Sequence, residues 1–127
     1  MASKRATELR ASLVRELEAV SQREGYSQLA RLIWLRNELE NYLDRWLGFV
    51  ALDETAISSL FQSDLFTMIL VASDVYEQEL GKGESKRSEA EWRQFRANFA
   101  RAQSARSLDA LVGLRESLVA VGKALHG

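Results

Sequence analysis

Apolar residues recur at steps of three and four along most of this chain, the spacing that places side chains on one face of an α-helix. Over residues 4–23 one such stripe contains Ala6, Leu9, Leu13, Leu17 and Val20. From about residue 27 to 47 a second stripe, typical of near-antiparallel packing, contains Leu32, Leu35, Leu39, Tyr42, Trp46 and Phe49. Gly25 is the expected stop between the two helices, because glycine accepts the left-handed conformation that closes many helices.

The segment over about residues 53–80 is apolar nearly all round, and we predict that it forms the central helix of a bundle. One face contains Ile57, Leu60, Phe61, Met68, Val71 and Val75, and much of the opposite side is Phe66, Ile69 and Leu70. Asp53 is placed to accept hydrogen bonds from the free amides at its start. A strand is an alternative only for residues 65–71, but the helical spacing extends over about 28 residues and strands rarely exceed about ten.

Residues 81–88 combine two glycines with charged residues and are the predicted loop after this helix. Ser88 and Glu91 have capping-box spacing and open a fourth helix, whose stripe contains Trp92, Phe95, Phe99 and Ala102. Ser107 is the expected cap of a fifth helix carrying Leu111, Leu114, Leu118, Val121 and Leu125, unless the fourth and fifth helices form one long kinked helix. The pattern predicts an all-α fold, an antiparallel bundle of four to five helices in a single domain, residues 1–127.

The composition excludes several classes of protein. With 46% apolar and 28% charged residues, the chain resembles an ordinary globular domain, and no apolar run approaches the ~20 residues of a membrane span. There is no cysteine, the first residues are charged rather than apolar, and the one histidine is His126. We therefore expect a cytoplasmic protein without a cofactor, a metal site or a small-molecule substrate, and not an enzyme.

Asp64 stands on the apolar face of the predicted central helix, where an unpaired carboxylate costs several kcal/mol. Arg93, Arg96 and Arg115 lie on helices that must pack nearby, so we expect one of them to pair with it. Asp64 and Arg115 are accordingly predicted to be buried structural charges. Two alternatives are that Asp64 pairs across an interface or that its pKa is shifted for chemistry.

Three apolar residues fit a monomer poorly. Phe66 and Leu70 lie on the second side of the central helix, and Trp34 lies among polar residues, away from the second stripe. Because tryptophan is enriched at interface hot spots, we predict that all three contact a partner, either a second copy or another protein. The alternative is internal burial, for Trp34 beneath the first helix or a terminus.

Charge is segregated along the chain. Residues 51–81 carry six acids and no Lys or Arg, whereas residues 82–106 carry seven bases and three acids. Either these segments attract one another, or the basic one contacts an anionic partner through Arg93, Arg96 and Arg101. An RNA or DNA backbone would be the commonest such partner, since phosphate contacts need clustered Lys or Arg.

In format the chain resembles the small helical subunits of CRISPR effector complexes, which are compact, cysteine-free bundles of similar length with a basic stretch and no catalytic residues. That resemblance implies copies stacked along a complex, lining a groove for nucleic acid. The residues themselves predict a non-catalytic helical interaction module, acting as a homo-oligomer or as a small structural subunit of a larger protein or nucleoprotein assembly. The resemblance supplies the alternative, a small subunit that binds the nucleic-acid backbone.

Overall fold

Helices account for nearly all of the chain that the computed structural model describes, which is residues 4–25, 27–52, 55, 57–83 and 87–127. They are α1 (Lys4–Glu24), α2 (Gln28–Leu52), α3 (Ile57–Leu60), α4 (Asp64–Lys82), α5 (Glu89–Ala105) and α6 (Leu108–His126). No strand occurs in these described ranges. The all-α fold predicted from the apolar spacing is confirmed.

Four of the helices form an antiparallel bundle. α2 packs against α4 on one side and α6 on the other, and α5 packs closely against α6. α4 and α5 face each other through stacked rings, Tyr76 on Trp92 at 4.0 Å and Phe66 on Phe99 at 5.9 Å between centroids. α1 lies outside this ring of helices, against α2 and α4.

The predicted central helix is not continuous. α2 continues through Gly48 to Leu52, α3 is a single turn, and α4 begins only at Asp64. Ser63 stands at the break in an extended conformation, with φ −86° and ψ 163°, and its hydroxyl donates to the Leu60 carbonyl at 2.6 Å while accepting from the Phe66 amide at 3.4 Å. One helix over residues 53–80 is therefore wrong, because a serine satisfies backbone groups on both sides of the break. Asp53 lies outside the described residues.

The other helix ends agree in part with the sequence. Gly25 has φ +105°, as expected for a left-handed stop, and Ser107 caps α6 by accepting from the Ala110 amide at 3.2 Å. α5 and α6 are separate helices, since Arg106 between them has φ +47°. The capping box at Ser88 is wrong. Ser88 has φ +72° and makes no side-chain cap, because its hydroxyl instead bonds the Tyr76 hydroxyl at 2.7 Å.

Candidate interaction surface

The two ends of the bundle are built from different chemistry. One end, where α4 ends and α5 begins, contains Gln28, Arg31, Tyr76, Glu79 and Ser88, and we call it the polar end. The other end, where α2 ends and α4 begins, contains Trp46, Phe49, Phe61, Phe66 and Phe99, and we call it the aromatic end. Because the helices alternate in direction, each end gathers residues that are distant in sequence.

A buried ion pair occupies the polar end. Arg31 donates to both carboxylate oxygens of Glu79, at 3.0 and 2.8 Å, and their side chains are only 12% and 7% exposed. The guanidinium also donates to Ser21 Oγ at 2.9 Å and to Glu18 at 3.1 Å, which ties α1 to the pair. Hydrogen bonding to Arg31 lowers the pKa of Glu79 against the opposing effect of burial, so the carboxyl stays ionised.

Further hydrogen bonds close the polar end. Gln28 Nε2 donates to the carbonyls of Glu79 and Leu80, at 2.9 and 3.2 Å, and so satisfies acceptors in the last turn of α4. Burial raises the pKa of Tyr76 to about 12, so its hydroxyl stays neutral. Either hydroxyl of the Tyr76–Ser88 pair can then donate the hydrogen bond between them. A cavity of about 380 Å³ opens here, lined by Glu18, Gln28, Arg31, Glu79, Lys82 and Gly83. Because Arg31 and Glu79 in the wall of this cavity are paired with each other, we assign the cavity a structural role.

Rings fill the aromatic end. Trp46 meets Phe61 and Phe66 edge-on, at 4.8 and 5.7 Å between centroids, and Phe66 stacks on Phe99. The Arg106 guanidinium lies 4.9 Å from the Phe61 centroid, in the position of a cation–π contact. Around these rings several apolar side chains remain only partly covered: Leu47, Leu60, Leu65 and Met68.

Phe49 is the most exposed large apolar side chain of the described residues, at 54%. Its expected place in the second apolar stripe is wrong as far as burial is concerned. Phe49 follows Tyr42 by seven residues and so shares its side of α2, yet Tyr42 is buried and Phe49 is exposed. The apolar stripe on α2 therefore extends beyond the part of the helix that is buried in the bundle.

The predicted partner-contact residues are all half-buried within the chain. Phe66 belongs to the ring cluster, and Leu70 and Trp34 pack against the core. For Phe66 the structure gives an internal role that the sequence did not show, since it joins α4 to α2 and α5. Contact of Phe66, Leu70 or Trp34 with a partner stays a prediction.

The predicted buried charges are wrong in both burial and pairing. Asp64 is 60% exposed at the first position of α4, where its charge is favourable near the helix N-terminus, and it accepts from Arg5 at 2.9 and 3.1 Å. Arg115, whose side chain is 24% exposed, pairs with Asp44 at 2.8 Å and Glu40 at 3.2 Å. Asp64 follows the break at Ser63 directly, so it stands at a helix start rather than in the middle of an apolar helix face.

The predicted anion-binding arginines on α5 differ in their surroundings. Arg93 is 72% exposed and pairs with Glu89 one turn earlier, at 3.1 Å. Arg96 reaches across to α4, to Asp74 at 3.6 Å and Glu77 at 3.9 Å. Arg101 is exposed and forms no ion pair within the part of the chain described here. Two of the three charges are thus paired with acids of the same chain, but only Arg96 pairs with the acidic segment, since Glu89 belongs to the basic one.

Comparisons with protein-family models, with curated proteins and with solved structures find no match for this chain. Among the described residues, no cluster of three or more His, Asp or Glu side chains is arranged to hold a metal ion. None of the described helices combines the length and the apolar character that crossing a membrane requires.

Proposed function

We propose that this protein is a non-catalytic helical interaction module that binds partners through its aromatic end, as a homo-oligomer or as a small structural subunit of a larger assembly. The observation that carries this proposal is Phe49, which is 54% exposed in the last turn of α2, at the end of the bundle where Leu47, Leu60, Leu65 and Met68 are only partly buried. A single exposed apolar residue is ordinary, but a cluster around an aromatic anchor is typical of contact surfaces.

The distribution of exposed apolar residues supports this assignment. Among the described residues, the other large apolar side chains that are more than about a third exposed are Val14 on α1, Leu29 in the first turn of α2 and Val112 on α6. They are spread over three helices, whereas Phe49 adjoins the end that gathers Leu47, Leu60, Leu65 and Met68. Arg106 adds a cation at this end, and aromatic residues with arginine are the composition that interfaces favour.

The titrating groups support a role without catalysis. The shifted pKa values of Arg31 and Glu79 arise from their hydrogen bonds to each other, and burial raises those of Tyr42 and Tyr76. In the described part of the chain these groups are engaged in packing and pairing, whereas a catalytic group must reach a substrate. A cytoplasmic location stays a prediction.

Nucleic-acid binding through residues 82–106, as in a CRISPR-type small subunit, has less support. Arg93 and Arg96 would have to leave Glu89, Asp74 and Glu77 before they could neutralise phosphates. Arg101 is the cation of the three that is available without such a change. The arrangement therefore favours a protein partner over an RNA or DNA backbone.

Sedimentation equilibrium of wild type, Phe49→Ser and Leu29→Ser from low to high micromolar concentration tests the proposal. Leu29 is the matched control, since it is 38% exposed on the same helix but at the polar end. We expect wild type to self-associate and Phe49→Ser to weaken the association about tenfold or more, because burying a phenylalanine contributes about 1.5–3 kcal/mol. Leu29→Ser should leave it unchanged.

The assembly-subunit form of the proposal needs a second measurement. A photo-crosslinking amino acid placed at position 49 in the intact cell should form adducts with other proteins or with a second copy, and the same group at position 29 should not. A strictly monomeric wild type, combined with equal crosslinking at both positions, would refute the proposed function.

A further inference from the structure

α1 is attached to the bundle more lightly than the other long helices. Of its 21 residues only Leu13 and Leu17 are buried apolar side chains, with Ser21 buried beside them. The 19-residue α6, by contrast, buries the apolar residues Leu111, Leu114, Leu118, Val121 and Leu125. Since α2, α4, α5 and α6 pack around one another, α1 can leave its place without opening the ring contacts that join α4 to α5.

The groove between α2 and α4 nevertheless recognises α1 in detail. Polar contacts hold it at three heights: Arg5 donates to Asp64 at 2.9 Å, Arg10 to Gln78 at 2.5 Å, and Ser21 and Glu18 accept from Arg31. Leu13 and Leu17 lie between the first and last of these contacts. The groove thus fits one particular helix, whichever copy of the chain supplies it.

The link between α1 and α2 is short and depends on glycine. Gly25 has φ +105°, and its amide donates to the Ser21 carbonyl at 2.8 Å, which closes α1. Two residues later, Ser27 Oγ accepts from the Ala30 amide at 3.2 Å and starts α2. A hinge of this length folds α1 back on its own chain only while Gly25 keeps the left-handed conformation.

We propose that α1 is exchanged between two copies of this chain, so that the groove between α2 and α4 of each copy holds the α1 of the other. This names a second copy as the partner, and it rests on the homo-oligomeric form of the proposed function. Exchange keeps every contact of α1 and changes only the hinge, the usual condition for a swapped dimer. It uses a different surface from Phe49, so the two ideas can fail separately.

Gly25→Ala tests the hinge. In the closed monomer alanine must adopt the left-handed conformation, whereas opening the hinge removes that strain at both links of the dimer. We expect the dimer to become about thirtyfold tighter, measured by sedimentation equilibrium after long incubation. Gly81→Ala is the matched control, because Gly81 lies within α4 and away from Phe49, an added Cβ there would meet open space and the backbone is not left-handed. Its dimer affinity should match that of wild type.

A pair of charge reversals tests exchange itself without touching the hinge. Arg5→Glu and Asp64→Arg each place like charges together at the Arg5–Asp64 contact, whether α1 binds its own chain or an identical one. In a mixed dimer with exchanged helices, each contact joins position 5 of one variant to position 64 of the other. One contact then has the wild-type arginine and aspartate, and the other has the same two charge signs in exchanged positions, so both are attractive. Native mass spectrometry of the mixture should show heterodimers several-fold above their statistical share, the effect expected of two exposed ion pairs.

Heterodimers at the statistical share, together with no tightening in Gly25→Ala, would overturn the exchange. If Gly25→Ala fails to fold, the charge-reversal mixture alone decides, because its hinge is native. Adding Phe49→Ser to both partners separates the two surfaces. If the charge-reversed partners still prefer heterodimers with Phe49→Ser present, exchange is supported. If they mixed statistically before Phe49→Ser was added and no longer associate after it, dimerisation belongs to the aromatic end and exchange is refuted.

Discussion

The polar end and the aromatic end are held by interactions of different range and direction. At the polar end, each of five side chains forms a hydrogen bond with a particular group on another helix or loop: Arg31, Glu79, Gln28, Tyr76 and Ser88. Hydrogen bonds of this kind allow one register of α1, α2 and α4, because a displaced donor leaves a buried charge unpaired. Among the described residues, the polar groups named here are therefore satisfied by one another.

The aromatic end differs in this respect. Its rings pack on one another over centroid distances of 4.8 to 5.9 Å, yet Phe49 stays 54% exposed. Within the described residues the Trp46 indole nitrogen is buried without a hydrogen-bond acceptor. Ring contacts are less directional than ion pairs, so this end can hold its fold while still offering apolar surface. The contrast assigns register to one end and contact to the other.

The largest expected effect is at the centre of the aromatic end. Trp46 is 1% exposed and touches Phe61 and Phe66, so Trp46→Ala should lower the free energy of unfolding by about 3–5 kcal/mol. Urea unfolding followed by circular dichroism measures the loss. Trp34→Ala is the control, because Trp34 is only half-buried and should lose clearly less. Equal losses for both tryptophans would contradict a packed ring cluster.

Removing one member of the buried ion pair should have the next largest effect. Arg31→Met leaves Glu79 buried with only Lys82, 3.2 Å away, to compensate it, and we expect a loss of about 2–3 kcal/mol in urea unfolding. Replacing Arg31 and Glu79 together by methionine should recover most of the loss, since no charge is then stranded. Arg93→Met, which breaks the exposed pair with Glu89, should change stability by less than about 0.5 kcal/mol. A double variant no better than the single one would show that the pair itself, rather than charge compensation, stabilises the fold.

Acid should weaken the polar end. Hydrogen bonding to Arg31 holds the folded-state pKa of Glu79 below the ordinary value of 4.5. A carboxyl of this kind contributes stability above its unfolded pKa and loses it as the pH falls through the lowered folded value. At pH values below about 4.5 we expect the free energy of unfolding to decrease, and to decrease less steeply in Glu79→Gln than in wild type. Parallel pH profiles for the two proteins would show that Glu79 does not carry this dependence.

Local patterns predicted what depends on local physics. The apolar stripes, the stop at Gly25 and the cap at Ser107 follow from residues within a turn or two of each other, and the structure contains them. The break before Asp64 escaped the pattern because apolar spacing continues across Ser63, whose side-chain bonds cause the interruption. A polar Ser-Asp pair inside an apolar run was the available signal, since both residues favour helix starts.

The features that distinguish the two ends depend on contacts between distant residues. Arg31 and Glu79 are 48 positions apart, so nothing in either segment shows that they meet. The exposure of Phe49 depends on which other elements cover the end of α2, which the spacing on α2 alone does not encode. Arg5 lies 59 positions before Asp64, whereas the arginines expected to pair with Asp64 all lie on helices that follow it.

The smallest effects are expected at two described non-glycine residues with left-handed backbone: Ser88 at the polar end, with φ +72°, and Arg106 at the aromatic end, with φ +47°. Glycine at either position relieves about 1 kcal/mol of backbone strain in the folded state. It also gives the unfolded chain more conformational freedom, which opposes this gain equally at both positions. Ser88→Gly also strands the buried Tyr76 hydroxyl, which costs about 1–3 kcal/mol, so it should destabilise by about 1 kcal/mol. Arg106→Gly loses two exposed contacts, the cation–π contact with Phe61, about 0.5–1 kcal/mol, and a hydrogen bond to the Gln103 carbonyl at 3.2 Å, and should be the less damaging of the two in the same urea measurement. If Arg106→Gly were the more damaging of the two, directional contacts would matter as much at the aromatic end as at the polar end, and the division of roles between them would be lost.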